Sequence, residues 1–520
     1  MTKDSRALRE EIENARAAVM DAARDEAVEK RHDRGQPTAR EYIDMLCDPG
    51  TFDENGVLVQ PARDADDDAA LVAPADGMIV GMARLEGRPV AVTANDAMTL
   101  GGSSGKVGMA KLKRTVAQAI ECGTPLVRLL DGGGHRIQEG QDARHFAQAE
   151  GAFQQLADAS GWVPIAAAVM GPGFAGPTNH AAMSDFVVML KGATMGMAGP
   201  ALVKAGTGED IDKEELGGYR VQTELHGIAD LAVDGPEQAL DAIRKFLSYL
   251  PSNAQAPLPI VESGDPADRR CEELYDIVPA NLRRGYDMRK VIDTIADRGS
   301  VFEMKPGFAK NMIAAFARLG GRPVGIIANN PMHLGGMINA AACDKAAHHI
   351  AVCDAFGLPL VYLIDVPGFA IGSGAEKTAL ARRSAKLLHE LGNATVPRFS
   401  VVLRKGYGLG YYAMCGGRLF EPDAALAWPT AQICAMSVEG AVDVAYRKIY
   451  EAAPDPAAKR QELIEQTTMR LGPLRAAEHF GVDDVIDPAD TRTRLIRRME
   501  FAPARRNRTR PPKFRSIAPI

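Results

Sequence analysis

The sequence is short of the residue patterns that announce a chemistry on their own. Its seven cysteines, Cys47, Cys122, Cys271, Cys343, Cys353, Cys415 and Cys434, are odd in number and never spaced Cys-x-x-Cys, which argues against a disulfide framework and a zinc ribbon. No His-Glu-x-x-His, no clustered Cys and His and no Gly-x-Ser-x-Gly elbow occurs, so metal-dependent and triad hydrolysis lack support and no metal is expected. Gly101 to Val107, GGSSGKV, has one residue too few for a phosphate loop and no hydroxyl after Lys106. No run approaches about 18 uninterrupted apolar residues, so no membrane span is expected. Lys plus Arg number 61 against 67 for Asp plus Glu, a net charge of −6, which gives no overall electrostatic case for nucleic acid or a membrane surface.

What is present is an ordinary globular composition, 46% hydrophobic and 25% charged over 520 residues, enough for two to four domains with their own cores. The first 35 residues are charged throughout, read as one long exposed helix, and contain no apolar core resembling a signal peptide, so a cytoplasmic location is expected. Basic residues gather between Arg492 and Arg515. With the Pro-rich run Arg508 to Lys513 among them, they read as solvated surface or a docking extension in preference to a nucleic-acid arm.

Sliding the chain along itself exposes a repeat. At an offset of 234, ARLEGRPVAVTANDAMTLGG (Ala83 to Gly102) lies over ARLGGRPVGIIANNPMHLGG (Ala317 to Gly336) with 13 identities in 20 positions and no gap. PLVRLLDGGG (Pro125 to Gly134) lies over PLVYLIDVPG (Pro359 to Gly368) at the same offset. The chain is therefore two tandem copies of one domain, expected at 1–260 and 270–520, with a Pro-, Gly- and Ser-rich linker near 251–272. Within each copy, β-rich runs (Pro89 to Thr93, Leu126 to Leu130, Ile165 to Met170; Pro323 to Ile327, Leu360 to Ile364, Phe399 to Leu403) alternate with helical spacing (Lys111 to Cys122, Ala143 to Ala157; Lys345 to Ala355, Glu376 to His389). That alternation predicts an α/β fold.

Glycine-rich turns follow the strand ends: Asp131 to Gly134, Met170 to Gly176, Val366 to Phe369 and Lys405 to Gly410. A strand that ends in glycine and enters a helix can aim free backbone N–H groups at an anion. Tight turning alone would also account for any one of them, but their recurrence at matched places favours a paired function. His135 and His180 stand beside such turns, whereas His226, His333, His348, His349 and His389 read as surface or satisfied core groups.

At these residues the chain resembles the carboxyltransferase (β) subunits of biotin-dependent acyl-CoA carboxylases, of the propionyl-CoA or acyl-CoA type. The stretches that carry the likeness span nearly the whole length: RGQPTAREYIDMLCDPGTFDE (Arg34 to Glu54), RIQEG (Arg136 to Gly140), EELGG (Glu214 to Gly218), the run from Tyr286 to Pro331, LIDVPGF (Leu363 to Phe369), NATVP (Asn393 to Pro397) and AWPTA (Ala427 to Ala431). The resemblance implies two tandem crotonase-like (ClpP-like) β-spiral domains with an N-terminal helical extension, assembled as a hexamer, a trimer of dimers. It implies transfer of a carboxyl group from carboxybiotin to the α-carbon of an acyl-CoA, through a thioester enolate held by backbone oxyanion holes.

The same resemblance places the catalytic donors at Ala175 and Gly176 on the acyl-CoA side and at Leu409 and Gly410 on the biotin side. It implies CoA or acyl contacts at Gly133, Gly134, His135, Arg136, Phe174 and Pro177, and a biotin side formed by Val366, Pro367, Gly368, Phe369 and Tyr412. For Arg136 a structural ion pair is the competing reading. Biotin would be carried by a biotin carboxylase and carboxyl-carrier α subunit, since neither a Met-Lys-Met biotinylation site nor an ATP-binding loop is present.

The family usually reads Asp-Ser-Gly-Gly-Ala-Arg at Asp131 to Arg136, Cys-Ala-Gly-Gly-Ala at Gly173 to Pro177, and Ala-Tyr-Gly-Gly-Ala-Tyr-Asp at Gly406 to Tyr412, and this chain departs from all three. Pro177 has no N–H to give. An acyl-CoA decarboxylase, a biotin-independent lyase or hydrolase of the same fold, and a non-catalytic scaffold subunit are the alternatives, the enzymes because the same holes would stabilise an enolate reached from either direction.

Overall fold

Residues with β-branched and small apolar side chains, bounded by glycine turns, set the frame of each half. In the computed structural model, which describes residues 4–61, 73–147 and 151–505, the chain divides into one compact unit running to Ala256 and a second beginning at Pro257.

In the first unit, β1 (Asp53–Glu54), β2 (Met78–Leu85) and β3 (Arg88–Asn95) form an antiparallel meander. β4 (Leu126–Leu130), β5 (Ile165–Val169), β7 (Phe186–Leu190) and β9 (Leu231–Val233) then add in parallel, giving the order β1-β2-β3-β4-β5-β7-β9. A separate parallel pair, β6 (Pro172–Phe174) and β8 (Thr194–Gly196), carries one of the glycine turns. β4 and β5 are buried at every position, as strands covered on both faces must be. Helix Lys106–Cys122 packs its apolar stripe (Met109, Leu112, Val116, Ala119) on this sheet and ends at Gly123 in the left-handed conformation.

The second unit repeats the plan with β10 (Phe302–Met304), β11 (Met312–Leu319), β12 (Arg322–Asn329), β13 (Leu360–Val366), β14 (Arg398–Tyr407), β15 (Ala424–Ala427) and β17 (Asp484–Val485) in that order. Here the counterpart of β5 and β6 is continuous: β14 runs on past Lys405 to pair with β16 (Gln432–Cys434). The α/β expectation holds, as does each of the six expected strands: Leu126–Leu130 is unchanged, Ile165–Val169 stops one residue short, and the other four are longer by two to five residues.

Two readings are corrected. The single N-terminal helix is two, Ser5–Ala17 and Asp25–His32. Between them Val19 is buried and Arg24 reaches Asp96 at 2.6 Å and Asp21 at 2.9 Å, so tertiary anchoring overrides a continuous helical propensity. The basic C-terminal region is not wholly solvated either. Arg492, on helix Thr491–Glu500, is fully buried, 2.7 Å from Asp297 and donating to the Ile295 carbonyl at 3.0 Å. Residues 506–520, with the Pro-rich run, lie outside the described residues.

Candidate functional site: paired backbone donors at matched turns

The turn after β4 is built by close backbone approach. A Cβ on Gly132 would fall 2.2 Å from the Gly102 carbonyl oxygen, and one on Gly102 would fall 2.4 Å from that of Asp131, so neither position admits a side chain. The crossing is fixed by Ser104, whose N–H donates to the Gly134 carbonyl at 3.0 Å and whose carbonyl accepts from Arg136 N–H at 2.9 Å. Arg136 is fully buried, 2.5 Å from Asp76 and 2.8 Å from Glu139. Its guanidinium is spent on holding the turn, as the ion-pair reading has it. The Gly134 N–H is left without an acceptor among the described residues.

Facing it is the turn that joins β6 to helix Gly176–Ala182. Ala175 adopts φ 59°, ψ −116°, a conformation that suits glycine. Its N–H donates to the Gly196 carbonyl at 2.9 Å. This corrects the assignment of Ala175 as an oxyanion donor: its hydrogen is already committed to the β6–β8 ladder. Gly176, the first residue of the helix, has no acceptor among the described residues. A Cβ on Gly134 would stand 3.4 Å from the Phe174 carbonyl oxygen and 3.6 Å from the Ala175 Cβ, so the two turns abut. The free pair in the first half is therefore Gly134 with Gly176. Thr178, which the sequence reading passed over, latches the arrangement: its hydroxyl lies 2.8 Å from the Gly173 carbonyl and accepts from Gly196 N–H at 2.9 Å.

The second half reproduces this with other side chains. Ile338 N–H donates to the Gly368 carbonyl at 3.0 Å, and Ala370 N–H donates back to Ile338 at 2.8 Å. Asp365 is fully buried and held by Arg404 at 2.8 Å. Tyr407 pairs with Cys434 as Phe174 pairs with Gly196, so Gly408 (φ 59°) stands where Ala175 does and Leu409 where Gly176 does. The repeat has slipped from an offset of 234 to 233 at this turn, which ungapped comparison could not show. Gly368, Leu409 and Gly410 N–H groups have no acceptor among the described residues. Gly410 must be glycine because its Cβ would meet the Gly368 Cα at 2.9 Å. Val366 is buried under Gly410, Pro367 and Phe369 are half-buried, and Tyr412 lies against Tyr411 with ring centroids 5.4 Å apart.

A cavity of about 510 Å³ opens beside the first pair and is lined by Gly134, His135, Ala175, Gly176 and Pro177. Gly133, Phe174 and Arg136 do not line it; the Phe174 ring packs instead on Gly196 and Gly199. His135 meets Phe146 edge-on at 5.5 Å. The floor holds a residue the sequence reading missed, Arg128, within the buried run LVRLL of β4, and beside it His180. Burial, with Arg128 adjacent, pushes the His180 imidazole down to about 2, so it is neutral at physiological pH. A charged residue in the middle of a predicted buried strand was the signal that could have found Arg128.

Residues 30–517 match the carboxyl transferase domain family. The chain belongs to that family. Among curated members it is 40% identical over 505 residues to the methylmalonyl-CoA carboxyltransferase 12S subunit of Propionibacterium freudenreichii subsp. shermanii, covering 97% of this chain and 95% of the relative. It is 38% identical over 514 residues to the propionyl-CoA carboxylase carboxyltransferase subunit of Haloferax mediterranei, covering 98% and 99%. Among solved structures, the transcarboxylase 12S hexamer with methylmalonyl-CoA and methylmalonic acid bound superposes with a TM-score of 0.92 at 38% identity, covering 100% of this chain and 99% of that one. The carboxyl transferase fold of that neighbour is thus the fold of this chain over its whole length, in keeping with the crotonase-like expectation.

Proposed function

We propose that this carboxyl transferase is the carboxyltransferase subunit of an acyl-CoA carboxylase, moving a carboxyl group between biotin and the α-carbon of an acyl-CoA. The observation that carries the reading is the recurrence of one device: in each half a turn glycine abuts the start of a short helix, and among the described residues the backbone N–H groups of both have no acceptor. Carboxyl transfer from biotin to a thioester enolate develops negative charge on two carbonyl oxygens, and two preorganised donor pairs answer that need.

Gly134 and Gly176 are the donors for the thioester oxygen as the α-proton leaves. Each such donor is worth about 100- to 1,000-fold in rate, and the helix that begins at Gly176 adds a favourable dipole end. Pro177 contributes no hydrogen bond, and Ala175 acts only by fixing the turn. The second pair suits a biotin ureido carbonyl: Gly368 and Leu409 offer donors, and the close approach of Gly410 to Gly368 keeps side chains out of their way. Carboxybiotin, when bound there, supplies the carboxyl group. On this reading biotin arrives on a separate α subunit, and the chain forms a cytoplasmic hexamer built as a trimer of dimers, a proposal supported by the hexamer of the 12S neighbour.

The test uses the reverse reaction. Purified protein is given a malonyl-type CoA thioester with and without free biotin. Loss of the carboxyacyl-CoA that depends on biotin is the expected result. Equal loss without biotin overturns the reading in favour of a biotin-independent decarboxylase or hydrolase, and binding of an α subunit with no CoA-thioester turnover at all would favour a scaffold.

A further inference from the structure

Arg128 is 2% exposed, and among the described residues its guanidinium meets a single polar atom, the Nδ1 of His180 at 3.0 Å. Among the described residues its Nε and Nη1 have no partner, and no carboxylate acts on it. A buried arginine costs several kcal/mol unless it is paired, and the three other arginines among the largest fully buried side chains, Arg136, Arg404 and Arg492, each sit on a carboxylate. Arg128 therefore stands out as a cation without its anion, and it lines the same cavity as Gly134 and Gly176.

His180 completes the arrangement. Arginine can only donate, so the Nδ1 that meets it is an acceptor, and in a neutral imidazole the hydrogen then resides on Nε2. That Nε2 is also buried without a partner among the described residues, with the Phe153 ring 4.5 Å from the imidazole. The floor of the cavity thus offers a guanidinium and an imidazole N–H, both unsatisfied, in walls supplied largely by Met109, Leu112, Leu130 and Phe153.

We propose that this cavity takes acyl-CoA thioesters whose acyl chain ends in a second carboxylate, held by Arg128 and His180. The inference rests on the reading that the thioester oxygen binds at Gly134 and Gly176. From Gly176 to His180 the helix rises about 6 Å, and Arg128 meets the imidazole Nδ1 at 3.0 Å. A carboxyl group on the α-carbon is only two bonds from the thioester carbon, roughly 2.5 Å at about 1.5 Å per bond, which is too short to span that interval. On the same measure the terminal carboxyl carbon of a four- or five-carbon chain stands roughly 3.8–5 Å from the thioester carbon and so reaches deeper into the cavity. The depth of Arg128 therefore favours the distal group over the carboxyl being transferred.

The experiment is calorimetric binding to the full-length protein of length-matched pairs, succinyl-CoA against butyryl-CoA and glutaryl-CoA against valeryl-CoA, with methylmalonyl-CoA as the α-carboxylate probe. A charge-assisted pair predicts a dicarboxylic preference of roughly 10- to 100-fold. That ratio should fall close to one in Arg128→Met and recover in part in Arg128→Lys. Valeryl-CoA binding as tightly as glutaryl-CoA in the wild type would overturn the proposal while leaving the thioester site standing. So would a preference that survives in Arg128→Met, or an Arg128-dependent preference confined to methylmalonyl-CoA. Binding of none of the thioesters would overturn both readings together. The wild-type comparison needs no variant to fold.

Discussion

Gly410→Ala isolates the geometry of the second donor pair. Its new Cβ would stand 2.9 Å from the Gly368 Cα, 3.1 Å from the Gly368 carbonyl carbon and 3.1 Å from the Val366 Cγ2. Carbon atoms rest at about 3.5–4.0 Å, so the loop bearing the Gly368 N–H must retreat by roughly 0.5–1 Å. A misplacement of about 1 Å costs on the order of 100-fold in rate, so the expected loss in kcat is about 10- to 100-fold. Overpacking adds about 1–3 kcal/mol of destabilisation. The assay is turnover of a malonyl-type thioester with free biotin, beside a thermal melt monitored by circular dichroism. Thioester affinity, governed by the other half, should stay at the wild-type value. Gly374→Ala, where a Cβ has nothing within 4 Å, controls for added bulk. Wild-type kcat in folded Gly410→Ala would refute the reasoning.

Three further perturbations have worked signs. Ala175→Gly relieves a conformation that costs about 1–3 kcal/mol in a non-glycine residue, offset by about 0.4–1 kcal/mol of unfolded-state entropy; the melt should rise by a few degrees, and a lower melting point would contradict the strain at φ 59°. Arg404→Met leaves Asp365 buried without its cation and strips donors from the carbonyls of Pro279, Asn281 and Arg284, so denaturant unfolding should show a loss of about 3–5 kcal/mol. Burial beside Asp230 pushes the Asp185 carboxyl from 3.8 up to about 7. The folded protein keeps that proton where the unfolded chain has released it, so the contribution of Asp185 to stability is present at acid pH and is lost as pH rises through about 7. Asp185→Asn should flatten the stability profile between about pH 4 and 7, and parallel profiles for variant and wild type would count against it.

The repeat and the strands could be read from the sequence because buried parallel strands leave short apolar runs closed by glycine, as Leu126–Leu130 and Leu360–Val366 do. The donor turns could also be located, since two backbones that touch, as at Gly102 and Gly132, admit only glycine. Which N–H is free could not be read. Ala175 and Gly176 are adjacent and equally able to donate, and only the ladder partner Gly196 decides between them. The one-residue slip at Gly408 has the same origin: register is set by pairing with Cys434, not by sequence spacing. Arg128 escaped because strand propensity describes a backbone, whereas its meaning depends on a helix some 50 residues away that brings His180 to 3.0 Å.

The most direct test of the account is a crystal structure of this protein with a non-hydrolysable acyl-CoA thioester analogue bound. The account predicts the thioester oxygen within about 3 Å of both the Gly134 and Gly176 nitrogens, with the Ala175 N–H still on the Gly196 carbonyl. A thioester oxygen bound away from that pair, or held by a side chain in place of these backbone groups, would contradict it.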